Sequence, residues 1–300
     1  MIGSRTDYKS GFITIIGCPN VGKSTLLNAF IGQKIAIVSD KAQTTRNKVT
    51  GVLTRPDYQI VFLDTPGIIR PKNKLGEYMQ KVVSDSLSAI EGVLFVADAK
   101  MGLLERDRET LHSLSGTRTP VFAAINKADI ASYAEINAIK EALSAYPFIR
   151  SVHVISAKTL SGIEELERAL SDILPFGPQY FPEDMVTDQP ERVICGEIVR
   201  EKTLMLLRDE VPHGIGVGVD KMEARDSGDL MDIWCTVYCE RDSHKGIIIG
   251  KGGKMLKRIG SEARKDMEAL LGMRVNLQLW IKIKDDWRNK PAVLHELGYE

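Results

Sequence analysis

The stretch that decides the fold reads GFITIIGCPNVGKSTLLN and occupies residues 11–28. Residues 12–16 are mostly β-branched and apolar, as in a buried strand, and residues 24–30 have the apolar spacing of a helix. Between them, GCPNVGKS fits G-x-x-x-x-G-K-S, in which glycines let backbone N–H groups surround a phosphate. The strand before it and the helix after it are the context that this motif requires. We therefore predict a loop that binds the phosphates of a nucleoside triphosphate.

Outward from this loop, residues 11–175 alternate strand-like runs with helical patterns, which predicts an α/β domain with a mostly parallel, doubly wound sheet. Residues 174–190 hold four prolines and show no period, which indicates a linker. The rest has the order helix, strand, strand, helix, strand of a smaller α+β domain. The predicted limits are 1–175 for the first domain, 176–191 for the linker, 192–283 for the second domain and 284–300 for a C-terminal tail.

Several side chains near the loop are suited to Mg²⁺ and phosphate. Lys23 places a cation at the β- and γ-phosphate oxygens, and Ser24 offers a hydroxyl to Mg²⁺. FLDTPG, residues 62–67, ends a strand at Asp64, which is predicted to hold the metal through water. Thr44 or Thr45 supplies a second hydroxyl, and we favour Thr45. The predicted metal ligands are thus Ser24, Thr45 and Asp64, and no residue is assigned as a certain catalytic group; Lys23, Thr45 and Gly67 are predicted to support the transition state.

The base is identified by INKAD, residues 125–129. The Asp129 carboxylate can accept two hydrogen bonds from the N1–H and 2-amino groups of guanine, whereas adenine offers no such pair and would leave the carboxylate unpaired. In ISAK, residues 155–158, the N–H of Ala157 is predicted to donate to guanine O6. The complete set of predicted GTP contacts is Gly17, Cys18, Pro19, Asn20, Val21, Gly22, Lys23, Ser24, Asp64, Thr65, Pro66, Gly67, Ile68, Asn126, Lys127, Ala128, Asp129, Ser156, Ala157 and Lys158.

With these motifs in order, the chain resembles the translation-factor-like class of GTPases. It departs from Ras-like members at Ile68, where they have the glutamine that orients the attacking water. An isoleucine cannot hold water by hydrogen bonding, so we predict slow intrinsic hydrolysis. Relatives with an asparagine at the position of Asn20 bind K⁺ near the phosphates, and the resemblance implies a K⁺ site at that residue.

The second domain carries a nucleic-acid motif in HKGIIIGKGGKMLKRIG, residues 244–260. A G-x-x-G loop ahead of a basic helix lets a single-stranded backbone approach closely, as in KH domains, and the element order resembles the type II KH arrangement. The two tryptophans nearest the C-terminus, Trp280 and Trp287, are predicted to pack in the core, with RNA stacking as an alternative for Trp287. The predicted RNA contacts are Ile249, Gly250, Lys251, Gly252, Gly253, Lys254 and Lys257.

Charge and composition agree with a polyanion partner. The 300-residue chain has a formal net charge of zero, yet residues 241–290 carry 13 Lys and Arg against 6 Asp and Glu. The absence of an apolar leader and of a bilayer-length apolar run predicts a cytoplasmic protein. The four cysteines suit a reducing compartment and are predicted to pack as small apolar groups, with the side chain of Cys18 pointing away from phosphate.

The two halves together resemble the Era family of GTPases, and AQTTRNKVTG, GSEARKDMEALLG and LWIKIKDDWRN are particular to that resemblance. It implies GTP or GDP with Mg²⁺ as ligands, the 3′ end of 16S rRNA and the 30S ribosomal subunit as partners, a monomer, and peripheral association with the inner membrane. Two alternatives stay open from the residues: an RNA-binding adaptor with little turnover, and a signalling or cell-cycle GTPase whose KH domain contacts proteins.

Overall fold

The computed structural model describes residues 7–41, 44–68, 71–207, 211–226 and 228–299. It divides into two compact units. The first comprises residues 1–36, 45–70 and 79–188, and the second comprises residues 37–44, 71–78 and 189–300. The domain limits predicted from the sequence are a finer division and stay predictions.

The first unit contains a six-stranded sheet in its described residues. The strands are β1 Lys9–Ile16, β2 Val49–Thr54, β3 Tyr58–Asp64, β4 Gly92–Asp98, β5 Val121–Asn126 and β6 Ile149–Val154. The order across the sheet is β2-β3-β1-β4-β5-β6; β2 runs antiparallel to β3, and the other neighbours are parallel. This is the mostly parallel sheet that the sequence predicts.

Helices cover both faces of this sheet. They are α1 Lys23–Ile31, α3 Glu105–Leu114, α4 Tyr133–Ser144 and α5 Ile163–Ser171, whereas α2 Lys74–Asp85 has its first residues, up to residue 78, in the second unit. The alternation along β4 shows the two layers: Leu94 and Val96 pack in one apolar core with α1 and α5, whereas Val93 and Phe95 pack in a second core with α3 and α4. A strand buried on both faces needs apolar residues at successive positions, which is why β4 reads as a continuous apolar run.

The segment between residues 176 and 188 packs on the β2–β3 edge of the first unit. The buried Gln59 side chain accepts the N–H groups of Tyr180 and Phe181 and donates to the carbonyl of Phe181 at 2.9 Å. The N–H of Val52 donates to the carbonyl of Val186 at 2.8 Å. The Val52 bond satisfies a backbone donor of β2, the edge strand of the sheet, and the Gln59 bonds satisfy backbone groups of the segment that covers this edge.

The second unit is built from three strands and four helices of its described residues. They are α6 Glu191–Leu206, β7 Gly216–Ala224, β8 Leu230–Cys239, α7 Asp242–Ile249, α8 Lys254–Leu271, β9 Arg274–Ile283 and α9 Pro291–Glu296. The sheet has the order β7-β8-β9, with β7–β8 antiparallel and β8–β9 parallel. Residues of α6 and α8 pack with alternate residues of β8, including Ile233, Cys235 and Val237, in one apolar core. This is the order predicted for a type II KH domain, with one additional short helix before the glycine loop.

The structure separates the two tryptophans that the sequence assigns alike to the core. Trp287 is completely buried, and its indole N–H donates to the carbonyl of Gly214 at 2.9 Å, which leaves no ring face for RNA. Trp280 lies in β9 and is 45% exposed, so the prediction of core packing is wrong there. Its register partner is the buried Thr236, on the sheet face opposite the residues that pack with α6 and α8.

In the described part of the chain, no helix combines the length and the apolar character needed to cross a membrane.

Candidate functional site

The predicted phosphate loop connects the end of β1 to the start of α1, at the carboxyl edge of the sheet. Gly22 takes the left-handed conformation at φ 98°, and a Cβ there would lie 2.3 Å from the side chain of Asn126, so this position requires glycine. The Nζ of Lys23 donates to the carbonyls of Gly17 and Cys18, each at 3.0 Å. The loop therefore curls around the lysine cation beside the N-terminal end of α1, which is a favourable arrangement for phosphate.

Lys23 is held in an environment that favours an anionic ligand. Only 6% of the residue is exposed, and this burial lowers the pKa of the Nζ ammonium, an effect that the nearby Asp64 carboxylate opposes. A buried cation with few strong partners gains more from a phosphate than an exposed one does, because little water must be displaced from it.

The three predicted metal ligands lie together. The hydroxyl of Ser24 donates to Asp64 Oδ2 at 2.7 Å and lies 2.8 Å from the hydroxyl of Thr45, which lies 3.4 Å from the same Asp64 oxygen. Thr44 instead donates its hydroxyl to the carbonyl of Lys41 at 2.6 Å. Of the two threonines that the sequence leaves open, the geometry therefore supports Thr45 as the second hydroxyl of the site.

Asp64 fits a role beside a divalent cation. It ends β3 with no exposed surface, and among the described residues its Oδ1 has no hydrogen-bond partner. Burial raises the pKa of this carboxyl to about 6, while Lys23, Ser24 and Thr45 oppose the rise. An unpaired buried carboxylate oxygen beside two hydroxyls matches the hard oxygen ligands of Mg²⁺, which these three residues would hold directly or through water.

This environment leads to a prediction for Asp64→Asn in the nucleotide-free protein. The pKa of about 6 in the folded state exceeds the ordinary aspartate value of about 3.9. The folded state therefore binds the proton more tightly, and above pH 6 the buried carboxylate destabilises the fold. We expect Asp64→Asn to raise the free energy of unfolding at pH 8 by about 2 kcal/mol, with the gain fading as the pH falls from 6 to 4.

Denaturant titration at pH 8 and pH 4.5 measures this effect, with exposed Asp57 changed to Asn as the control. The same Asp64→Asn variant should lose the Mg²⁺-dependent part of its nucleotide affinity. If Asp64→Asn were less stable than the wild type at pH 8, the buried Asp64 carboxylate would not destabilise the nucleotide-free fold, which would contradict this prediction.

The segment after Asp64 contacts the phosphate loop. A Cβ on Gly67 would lie 2.8 Å from the Cα of Pro19, and the N–H of Ile68 donates to the carbonyl of Gly17 at 3.3 Å. The Ile68 side chain packs against the apolar core around α3 and α4. Residue 68 therefore offers a hydrophobic side chain and no polar group, as the sequence predicts.

The base side of the site forms around Asn126 at the end of β5. Its Nδ2 donates to the carbonyl of Val21 at 2.9 Å, which ties it to the phosphate loop. The hydroxyl of buried Ser156 donates to Asp129 Oδ1 at 2.7 Å, so this carboxylate is oriented while the residue stays exposed to a ligand. One detail differs from the prediction: the N–H of Ala157 donates to Asn126 Oδ1 at 2.9 Å, and guanine O6 would have to share this donor.

Lys127 connects three parts of the site. Its Nζ donates to the carbonyl of Asn20 and pairs with Asp98, each at 2.6 Å. Asp98 ends β4, and its other oxygen accepts the N–H of Lys100 at 2.8 Å. Asp98 was not among the residues predicted from the sequence, although an aspartate at the carboxyl end of a buried strand was a usable signal.

The remaining predicted GTP contacts lie in the phosphate loop and in the segments that follow β3 and β5. Burial and the adjacent Asp107 raise the pKa of the Cys18 thiol to about 12, so Cys18 packs as an unreactive apolar group. Asn20 takes φ 67°, and its assignment to K⁺ stays a prediction. The backbone N–H of Ala128 donates to the carbonyl of Ile155 at 3.1 Å. Thr65 donates its hydroxyl to the carbonyl of Ile15 at 2.9 Å, which braces the segment on β1.

A second candidate site lies in the second unit, at the loop Gly250–Gly253 before α8. Gly252 and Gly253 have φ values of 60° and 76°, and a Cβ at either would meet no atom of the described residues within 4 Å. Lys251, Lys254 and Lys257 are exposed, and within the described residues none of them forms an ion pair. The loop therefore presents open backbone together with exposed cations, which suits a phosphodiester chain.

A groove of about 430 Å³ extends from this loop between α8 and β9. Gly260 lies on the α8 side of the groove, opposite the Leu279 side chain of β9. Since β9 is the last strand of its sheet, one row of its backbone groups faces away from β8. The sequence predicts the loop but not the rest of the groove, which is lined by Gly253, Leu256, Lys257, Gly260, Ser261, Arg264, Asn276, Leu277 and Leu279.

Comparisons with known proteins match both halves of the chain. A family model described as a 50S ribosome-binding GTPase matches residues 12–127, and a KH domain model matches residues 210–288. GTPase Era of Alkaliphilus metalliredigens (strain QYMF) is 52% identical over 293 residues, covering 98% of this chain and 99% of the relative. GTPase Era of Alkaliphilus oremlandii (strain OhILAs) is 49% identical with the same coverage.

Two solved structures have the same architecture along the whole chain. One is Era in complex with MgGDPNP and nucleotides 1506–1542 of 16S ribosomal RNA, with a TM-score of 0.93, 41% identity, and coverage of 97% of this chain and 99% of that one. The other is an Era variant of Aquifex aeolicus bound to GDP and AlF4⁻, with the same TM-score, identity and coverage.

Proposed function

Because this chain belongs to the Era family of GTPases, we propose that its KH domain binds the 3′ end of 16S rRNA and that GTP binding and hydrolysis time this binding during assembly of the 30S ribosomal subunit. The chain hydrolyses GTP, as its family does, and takes GTP or GDP with Mg²⁺. The proposal assigns the GTPase to residues 1–175, the linker to 176–191, the KH domain to 192–283 and a tail to 284–300.

In this proposal the residues of the first unit have distinct tasks. Lys23 balances the charge of the β- and γ-phosphates, Ser24, Thr45 and Asp64 hold Mg²⁺, and Asp129 selects guanine. With Ile68 in place of a water-orienting glutamine, activation of the attacking water falls to other groups. The proposal includes slow intrinsic turnover and a K⁺ ion near Asn20 that supplies positive charge.

The observation that carries the RNA half of the proposal is the open glycine loop. Gly252 and Gly253 leave room for a nucleic-acid backbone next to three cations, and the groove behind them offers apolar walls for bases. The similar solved structure of Era that contains 16S rRNA nucleotides covers 97% of this chain, which supports RNA as the ligand of the groove.

Gly253→Asp tests this part of the proposal. The new carboxylate would lie beside an RNA phosphate. At a separation of about 4 Å, the repulsion between the two negative charges costs about 1–4 kcal/mol, depending on how much water surrounds them. We expect the affinity for an oligomer of the 3′-terminal nucleotides of 16S rRNA to fall at least about tenfold. Fluorescence anisotropy with the full-length protein measures it.

Gly272→Asp is the matched control. Gly253 precedes the first residue of α8 and Gly272 follows its last residue, both have positive φ, and a Cβ at either would meet no atom of the described residues within 4 Å. The two substitutions therefore carry similar backbone strain at opposite ends of one helix. Equal RNA affinity in the two variants would remove the loop from the proposed interface.

Three further parts belong to the same proposal: a monomeric chain, a place in the cytoplasm, and peripheral association with the inner membrane. Their support is the resemblance to the Era family.

A further inference from the structure

Val38 and Thr44 precede the metal-site residue Thr45 and belong to the second unit, where the backbone of each is hydrogen-bonded to α6. The N–H of Val38 donates to Glu201 Oε1 at 2.8 Å. The guanidinium of Arg200 donates to the carbonyl of Thr44. Two successive residues of one helix thus bind the backbone at Val38 and at Thr44, independently of the side chains of these two residues.

The two α6 residues are firmly placed. Arg200 is completely buried and paired with Glu197, one turn earlier on the same helix, and Glu201 is 2% exposed. The neighbouring carboxylates raise the pKa of the Arg200 guanidinium against the opposing effect of burial. Buried charges tolerate little displacement because losing a partner leaves an unpaired charge, so a movement of Val38 or Thr44 must move α6 or break these bonds.

A lysine continues the contact to the helix that follows the glycine loop. Lys202 Nζ lies 3.0 Å from Glu201 Oε2 and 2.6 Å from Asp266 Oδ2. Asp266 lies in α8, which begins at Lys254 directly after Gly253. Lys202 has a side chain only 14% exposed, so this bridge is shielded from screening by salt, unlike a surface ion pair.

We infer that Glu201, Lys202 and Asp266 form a relay that couples the positions of Val38 and Thr44 to helix α8. Arg200 acts as a positioning residue at the Thr44 end, where the next peptide bond leads to Thr45. Movement of Thr45 toward or away from the metal site, as Mg²⁺ and the γ-phosphate bind or leave, would shift the Thr44 carbonyl held by Arg200 and the Val38 N–H held by Glu201. The relay passes this shift to the helix that bears the RNA loop.

The inference deepens the proposed function and rests on it, since it names the residues by which nucleotide state reaches the RNA groove. Coupling of this kind is reciprocal: RNA bound along α8 must favour the nucleotide state that the relay favours, by the same factor. The relay therefore predicts two linked effects: GTP changes the affinity for RNA, and RNA changes the affinity for GTP.

Lys202→Met and Asp266→Asn test the relay in the full-length protein, with Lys265→Met as the control. Lys265 neighbours Asp266 on α8, has a side chain 68% exposed, and lies 3.9 Å from the carboxylate of Glu262. The first readout is the ratio of affinities for the 16S 3′-terminal oligomer with GDPNP and with GDP. We expect Lys202→Met or Asp266→Asn to lower this ratio at least about fivefold. The double variant should lower the ratio no further than either single variant, because both substitutions break the same contact. Lys265→Met should leave the ratio unchanged.

A second readout needs no RNA. Hydrogen exchange with GDPNP and with GDP should show a nucleotide-dependent change in protection at residues 250–257 of the wild type and of Lys265→Met, and no such change in Lys202→Met. Loss of this response in Lys202→Met but not in the control supports the relay. An unaltered response in Lys202→Met, or none in the wild type, overturns it. Absence of RNA binding by the wild type would instead overturn the proposed function and leave the exchange result to decide the relay.

Discussion

Asp129→Asn is expected to lower the affinity for GTP and GDP by at least about 10²-fold and to create affinity for xanthine nucleotides. The Asp129 carboxylate accepts a bond from Ser156 through Oδ1, and the residue is exposed. An amide in its place offers an N–H₂ group to the 2-amino group of guanine, so two donors oppose each other. Losing hydrogen bonds to a charged acceptor and gaining an unpaired donor costs about 3 kcal/mol or more.

Xanthine reverses this penalty, because its C2 oxygen accepts from the amide N–H₂ while its N1–H still donates to the amide oxygen. Isothermal titration of GDP and of xanthosine diphosphate against the wild type and the variant measures both changes. Exposed Asp57 changed to Asn is the control, since it alters the same chemical group away from the site. Full GTP affinity in Asp129→Asn would contradict the base-reading role.

The nucleotide site could be predicted largely from sequence because its chemistry depends on short segments. Gly17–Ser24, Asp64 and Asn126–Asp129 each lie at or just after the end of a strand of one sheet, and the carboxyl ends of such parallel strands share an edge. Local spacing therefore predicts which segments meet at one edge of the sheet. The KH order followed in the same way from the alternation of patterns in residues 191–283.

Features that depend on contacts between distant residues could not be predicted. Ser156 orients Asp129, and Asp98 pairs with Lys127, but the chain separations of 27 and 29 residues give no local pattern for either bond. The sequence alone leaves Thr44 and Thr45 open as metal ligands, and the distance from Asp64 is what favours Thr45. The prediction of core packing is wrong for Trp280 because alternate residues of β9 face opposite sides of the sheet, and only the fold shows which side α6 and α8 cover.

Arg200 and Glu201 show the same limit for regulation. In the sequence they belong to an ordinary charged stretch, REK, and nothing marks them as partners of a segment more than 150 residues away. Their burial is the signal, and burial of charge becomes visible only when the fold is known. A relay of this kind is therefore a property of the tertiary structure.

Lys23→Met should lower nucleotide affinity roughly 10³-fold, an effect far larger than its change in the stability of the empty protein. In the described part of the chain, the Nζ of Lys23 donates hydrogen bonds only to the carbonyls of Gly17 and Cys18, and burial already lowers its pKa. Methionine fills nearly the same volume without the buried charge. Losing charge-assisted bonds to two phosphates costs about 3–6 kcal/mol, so affinity for GDP should fall by roughly 10³-fold.

Thermal unfolding with and without GDP and Mg²⁺ separates the two effects. At a ligand concentration about 1,000 times the dissociation constant, binding stabilises the wild type by about 4.1 kcal/mol, and a 10³-fold weaker variant should show almost no shift. Exposed Lys140 changed to Met is the control and should keep the full shift. Lys23→Met could instead unfold at a lower temperature than the wild type without nucleotide and still show the full increase in unfolding temperature with GDP. That result would mean that the lysine stabilises the fold and that backbone N–H groups alone hold the phosphates.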